Sequence, residues 1–442
     1  MPLALAGLLS LTLVPASAQQ PLRPTKADLS RLVVVGDSLS AGVQNIALAK
    51  SQQVHGFASL IASQAKVKNW TLPLIYEPGI PNKLIVYPGP SMQIGPSPLL
   101  PPLLPRINIL EQATNLSVPG YRIDDATTRR PVNATWPNLT GDPVSGWAFQ
   151  VLCYPLGVCR EFRPNPTTNS NPTQLERALA LAPTTVIVWL GSNDALVPAL
   201  TGALPALTPP AAFQQSFDRL MTGLDQTGAN VVLANIPDVT AIPYFVSMKQ
   251  VAKENGIDVA ELLARVPLET NPQLQPDPQL HEGDFVRRSA LPLIKGVLSD
   301  PSTNLPVFCD KPVYALPEIP GFPAGKYPCL LRAAHAAAVQ NTINAYNQII
   351  AAEAATRNAP LVDIHRLVND IAAGGIDVGG QHLTTEFLGG LFSLDGIHPG
   401  NTGYAVIANE FIRVMNEELS LKIPAVSVAD VFKSDPLKQY TR

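Results

Sequence analysis

Apolar residues fall into two rhythms along this chain. At residues 31–36, 185–190, 230–236 and 360–364 they run together without alternating, the mark of strands buried on both faces. Elsewhere they recur at helical spacing. Residues 211–224 put Phe213, Phe217, Leu220 and Leu224 on one face, and 402–419 put Tyr404, Ile407, Phe411 and Met415 in one stripe. Further helices are expected at 55–67, 173–181 and, rich in alanine, 331–357. Strands alternating with helices predict an α/β fold, with a mostly parallel sheet covered on both faces. Such sheets place their sites beyond the carboxyl ends of the strands.

Two stretches break the pattern. Residues 71–105 hold ten prolines among Leu, Ile and Tyr, which excludes a regular helix or central strand there. Residues 266–330 are also proline-rich. Both read as insertions with ordered packing in a single domain over 28–420, followed by a tail at 421–442, strapped or loose.

Composition narrows the partners. The 442 residues carry a net charge of −3 with only 15% charged side chains, and basic residues adjoin only at Arg129-Arg130 and Arg287-Arg288. Nucleic acid and anionic membranes held by charge are therefore excluded in favour of a small neutral or apolar molecule. Residues Leu3 to Val14 are apolar, and Ala16-Ser17-Ala18 has the small-x-small form of a signal-peptidase site, so 1–19 are expected to be a signal peptide. No Lys or Arg precedes that apolar run, which leaves the completeness of the start open. The mature chain is expected to be secreted or periplasmic, with no integral membrane segment. Cys153, Cys159, Cys309 and Cys329 suit that compartment and lack zinc or redox spacing; nearest-neighbour disulfides are the simplest pairing, four free thiols the alternative.

The chemistry sits at the two ends. Gly36-Asp37-Ser38-Leu39-Ser40 follows the first apolar run directly, placing Ser38 at a strand-to-helix turn where free N–H groups favour developing negative charge. A serine hydroxyl needs a base in contact with it and a third group to orient that base. Asp395-Gly396-Ile397-His398 supplies both. Pro399 forces His398 out of the helical region, so Asp395 and His398 are expected to be the two ends of a turn. The other histidines (His55, His281, His335, His365 and His382) have no metal spacing and read as structural or surface groups. No metal or cofactor is expected, and no Gly-x-Ser-x-Gly elbow occurs.

In order, Gly-Asp-Ser-Leu at 36–39, Gly120 in Asn115-Leu116-Ser117-Val118-Pro119-Gly120, Gly191-Ser192-Asn193-Asp194 and Asp395-x-x-His398 resemble the signature of the SGNH (GDSL) hydrolase superfamily. The resemblance covers about 31–419 outside the two proline-rich stretches, with longer gaps than compact members have. It implies a flavodoxin-like three-layer α/β/α sandwich. It also implies Ser38 as nucleophile, His398 as base, Asp395 as its orienting acid, and an oxyanion hole from the N–H groups of Ser38 and Gly120 with the amide of Asn193. Losing one such donor typically costs ~10²–10³ in turnover.

The expected activity is metal-independent hydrolysis of carboxylic esters through an acyl-enzyme on Ser38, of lipase or esterase type, falling as pH drops below about 6.5. The apolar stretch at 71–105 is expected either to line an acyl groove or to cover a sheet edge. Carbohydrate O-deacetylation is the alternative, with thioesterase or lysophospholipase activity behind it. The rival from another class is a binding protein on the same scaffold.

Overall fold

The computed structural model describes residues 27–89, 92–100, 104–132, 143–155, 157–159, 169–272, 275–310 and 326–441. The expected signal peptide at 1–19 lies outside them. Four parallel strands form the central sheet in the order β1 (Leu32–Gly36), β2 (Thr185–Trp189), β3 (Asn230–Ala234) and β4 (Leu361–Val362). On the outer side of β1 a fifth segment runs parallel to it. Val34 donates to the carbonyl of Thr114, Leu116 donates to Val34, and Val118 donates to Gly36.

Side chains alternate across this sheet and feed two cores. Val33, Val35, Val186, Val188, Val231 and Leu233 face one way. They meet α3 (Gln174–Ala180), α5 (Pro210–Asp225) and α6 (Ala333–Arg357). Leu32, Val34, Ile187, Trp189, Val232 and Ala234 face the other way, onto α2 (Phe57–Gln64) and α8 (Asn401–Glu418). The Phe213 and Tyr404 stripes are buried as their spacing predicts. Each such residue stabilises the fold by roughly 1.5–3 kcal/mol through burial. This is the three-layer α/β/α sandwich. The strand expected at 360–364 is shorter, because Asp363 caps α7 (Ile364–Gly374) by accepting from the Arg366 N–H.

The proline-rich stretch at 71–105 is ordered where described. Leu84–Tyr87 pairs antiparallel with Gln93–Pro96, and Ile80 exchanges two backbone bonds with Leu48. The second stretch belongs to a satellite unit with its own core, from Val246 to Leu330, on an antiparallel sheet of Phe245–Ser247, Phe285–Arg287 and Leu330–Leu331. Cys309 and Cys329 are bonded inside it, and Cys153 and Cys159 are bonded beside residues 149–154, so nearest neighbours pair. Buried Arg287 ties the satellite to α4 (Ser192–Thr201) by donating to the Ala199 carbonyl at 2.9 Å. Among the described residues no helix is long and apolar enough to cross a membrane.

The tail is strapped down. Asn416 and Asn409 pin the backbone of Ile423 and Val426, and Phe432 of α9 (Val428–Ser434) is buried. Helix α8 starts at Gly400, which has no side chain to cap it. Asp435 does so from the far end of the strap, accepting from the Thr402 N–H at 3.1 Å and its hydroxyl at 2.8 Å.

Candidate active site

Ser38 opens α1 (Ser38–Ala41) directly after β1, so its N–H is one of the helix-end donors without an intrahelical acceptor. Asp37 is the cap, accepting from the Leu39 N–H at 3.0 Å. Burial pushes the Asp37 carboxyl up to about 7, against the pull of that N–H and of the His398 charge.

Asn193 stands in the first turn of α4, at the end of β2. Gly191 makes that turn with φ +113, and a Cβ there would lie 2.8 Å from both Ile236 and Phe213. Only glycine fits. The Asn193 amide donates to the Tyr121 carbonyl at 3.0 Å and to Asp37 Oδ2 at 3.4 Å. Gly120 is thereby bracketed: Val118 is bonded to Gly36, two residues before Ser38, and Tyr121 to Asn193. Its φ of +81 turns the chain there, with Val144 against its face. Gly120 does not line the cleft described below.

Two buried groups that motif reading leaves unassigned fix this corner. Gln174 donates to the carbonyls of Gly36 (2.9 Å) and Leu116 (2.7 Å). Asp194 accepts from the Ile123 N–H (2.9 Å) and the Thr208 hydroxyl (2.6 Å), and burial raises it to about 6. Together they hold the 114–123 segment against β1 and α4.

At the other end, Asp395 and His398 are two ends of one turn. Asp395 Oδ1 accepts from the N–H groups of Ile397 and His398, both at 2.8 Å. Oδ2 accepts from His398 Nδ1 at 2.9 Å and from the Ile46 N–H at 2.6 Å. Burial alone would raise this carboxyl, but the His398 charge and these donors hold it below the ordinary value.

The ends meet through residues 43–46, for which the sequence gives no signal. Asn45 and Ile46 both adopt positive φ, 50 and 64. That strained turn, costing of order 1–3 kcal/mol, aims the Ile46 N–H at Asp395. Asn45 donates to Ser393 Oγ and accepts from the Leu394 N–H, while Gln44 donates to Asn401 and Tyr404 to the Val43 carbonyl. The segment that follows Ser38 is thus bolted to the segment that carries His398.

Ser38, Asn193 and His398 line one cleft that opens to solvent. Among the described contacts none joins Ser38 Oγ directly to the imidazole. The rest of the lining is mostly apolar and comes from Leu39, Trp189, Leu196, the 237–242 turn, α7, residues 385–399 and the start of α8. No described residue of 71–105 contributes to it. The groove expected from that stretch is therefore not this one: the stretch packs instead against 45–48, Leu388 and Leu394. The remaining histidines stay outside, with His281 on Asp277, His382 on Asp377 and His365 on the Ile236 carbonyl. Among the described residues no group of His, Cys, Asp or Glu is arranged to hold a metal ion.

A three-layer α/β/α frame with these groups gathered past its strand ends belongs to the hydrolase class. The family model for GDSL-like lipase/acylhydrolase matches residues 32–411, and the chain belongs to that family. Among solved structures, LAE5, an alpha/beta hydrolase enzyme from the metagenome of Lake Arreo, Spain, is similar at 13% identity and TM-score 0.35. The match covers 89% of this chain and 97% of that one, a likeness too distant to bear on fold or activity. No curated protein matches the chain.

Proposed function

We propose that the protein is an exported serine hydrolase of carboxylic esters, acting through an acyl-enzyme on Ser38. The observation that carries this reading is the Asp395–His398 couple lining, through its imidazole, the same cleft as Ser38 and Asn193. With Nδ1 committed to Asp395, Nε2 is the nitrogen left to take the Ser38 proton as Oγ attacks the ester carbonyl. The oxyanion would be met by the Ser38 N–H and Asn193 Nδ2, both from residues lining the cleft; Gly120, outside that lining, is the third donor only as the family resemblance implies. Asn193 must first release its 3.4 Å contact to Asp37, the weaker of its two bonds. Imidazolium then returns the proton to the leaving alcohol, and water cleaves the acyl-enzyme by the same steps in reverse roles.

The mostly apolar lining favours carboxylic esters of apolar acids over acetylated sugars, whose hydroxyls need polar partners. Two disulfides support a life outside the reducing cytosol. A fluorophosphonate probe tests the reading. Covalent labelling at Ser38, absent in Ser38→Ala together with ester hydrolysis, is expected. Ligand binding without labelling would instead make the protein a non-catalytic scaffold.

A further inference from the structure

Asp37 does more than its place at a helix start requires. Its Oδ1 caps α1 by accepting from the Leu39 N–H, a task that Ser or Asn performs equally well. Yet the side chain is a carboxyl group, 1% exposed and one residue before Ser38. Among the described contacts no Lys or Arg pairs with it. Burying a charge without a cation is unfavourable, so a cap alone would favour the neutral residues.

The second oxygen, Oδ2, faces Asn193. The Asn193 amide has two hydrogens, and both are committed, one to the Tyr121 carbonyl at 3.0 Å and one to Asp37 Oδ2 at 3.4 Å. Tyr121 offers a peptide carbonyl, which accepts at any pH. Only the Asp37 bond can therefore change with protonation. As a carboxylate, Oδ2 accepts, and its charge roughly doubles the strength of such a bond. As a neutral acid with its proton on Oδ2, it sets a donor against a donor, and the Asn193 N–H is free to turn to the cleft.

We propose that Asp37 is a positioning residue that gates the oxyanion hole: ionised, it holds Asn193 Nδ2 away from the oxyanion, and protonated, it releases it. This rests on the serine-hydrolase reading above. Three titratable groups face Asp37. His398, when charged, favours the carboxylate, Asp194 on α4 opposes it, and Tyr404 on α8 is itself kept neutral by burial and by the charges of Asp395 and Asp37. Burial outweighs the others, and a carboxyl pushed up to about 7 sets the gate in the neutral range. Below that pH the donor is free. Above it the donor is captured, and the carboxylate also repels the oxyanion forming at Asn193.

The test is kcat and KM for p-nitrophenyl acetate from pH 5 to 9, read at the isosbestic wavelength of nitrophenol, with far-UV circular dichroism confirming folded protein at each pH. In the wild type, kcat is expected to fall by about tenfold or more from its maximum to pH 9, up to the ~10²–10³ that loss of an oxyanion donor brings. KM is expected to stay constant, since the oxyanion exists only beyond the ground state. Asp37→Asn and Asp37→Ser keep a cap and cannot ionise, so each is expected to hold kcat at pH 9 within about twofold of its own maximum. A wild-type kcat flat from pH 7 to 9, or an alkaline decline of equal size in both variants, overturns the gate. If Ser38 is labelled and required but the alkaline decline is missing, only the gate falls; if Ser38 is not labelled, the serine-hydrolase reading falls with it.

Discussion

Replacing Asp395 by Asn removes one negative charge and no volume. In the wild type, Oδ1 accepts from two turn N–H groups, while Oδ2 accepts from His398 Nδ1 and from the Ile46 N–H. An asparagine that keeps its oxygen on the turn must present NH₂ where Oδ2 stood. It then faces a ring nitrogen that was a donor and a backbone N–H that cannot become an acceptor. The imidazole answers by changing tautomer, which puts its proton on Nε2 and leaves nothing there to accept from Ser38. The wrong tautomer in such a triad costs about 10⁴ in kcat, or roughly 5 kcal/mol of barrier. The orphaned Ile46 N–H costs a further ~1–3 kcal/mol of stability. Stopped-flow ester hydrolysis beside urea denaturation checks both: kcat is expected to fall by about 10³–10⁴ in protein that remains folded. A folded Asp395→Asn within tenfold of wild-type kcat would refute the reasoning, since His398 would not then depend on that carboxylate.

Three further outcomes follow from the geometry. Gly191→Ala meets both a φ of +113 and contacts of 2.8 Å to Ile236 and Phe213, and is expected to lose about 2–4 kcal/mol in urea denaturation; an unchanged midpoint would mean that the corner is loosely packed. Burial raises Asp37 from 3.8 to about 7, so the folded protein holds a proton that the unfolded chain releases near pH 4. Its contribution is full below about pH 4 and is lost as pH rises through about 7, on the order of 3–4 kcal/mol. Asp395, held below 3.8, acts oppositely: its contribution is present above that value and is lost as pH falls through its folded value. Asp37→Asn should therefore flatten the decline of stability between pH 4 and 7, and a decline of unchanged slope counts against the raised carboxyl. Opening Cys309–Cys329, 20 residues apart, is expected to cost about 3 kcal/mol, against about 2 for Cys153–Cys159, 6 apart; thermal melts of the two double Ala variants showing the reverse order would contradict the loop-closure account.

The frame was legible because it is written locally. Buried parallel strands have unbroken apolar runs, and Phe213 and Tyr404 head stripes whose spacing alone fixes their faces. The motif segments were legible for the same reason, as each is a short turn at a strand or helix end. What joins them was not. Asn45, Ile46 and Gln44 act on residues some 350 positions away, mostly through backbone groups, and such contacts leave no periodic trace. A β-branched residue at positive φ is also the opposite of what propensity suggests for Ile46. The apolar wall was missed for a different reason. Ending a strand at Ile364 hides that this residue begins the helical series running to Ile371. Asp363 decides the boundary by capping, and a run of five residues is too short for periodicity to reveal it.

The strap that ends at Asp435 has a consequence for biosynthesis. Ser38 leaves the ribosome early, but the helix following His398 is not capped until Asp435 has emerged, roughly 20–80 s later at about 5–20 residues per second. On the serine-hydrolase reading, Ser38 spends nearly all of translation without the base proposed to activate it. That reading makes the turn bearing His398 one of the last parts of the fold to be secured.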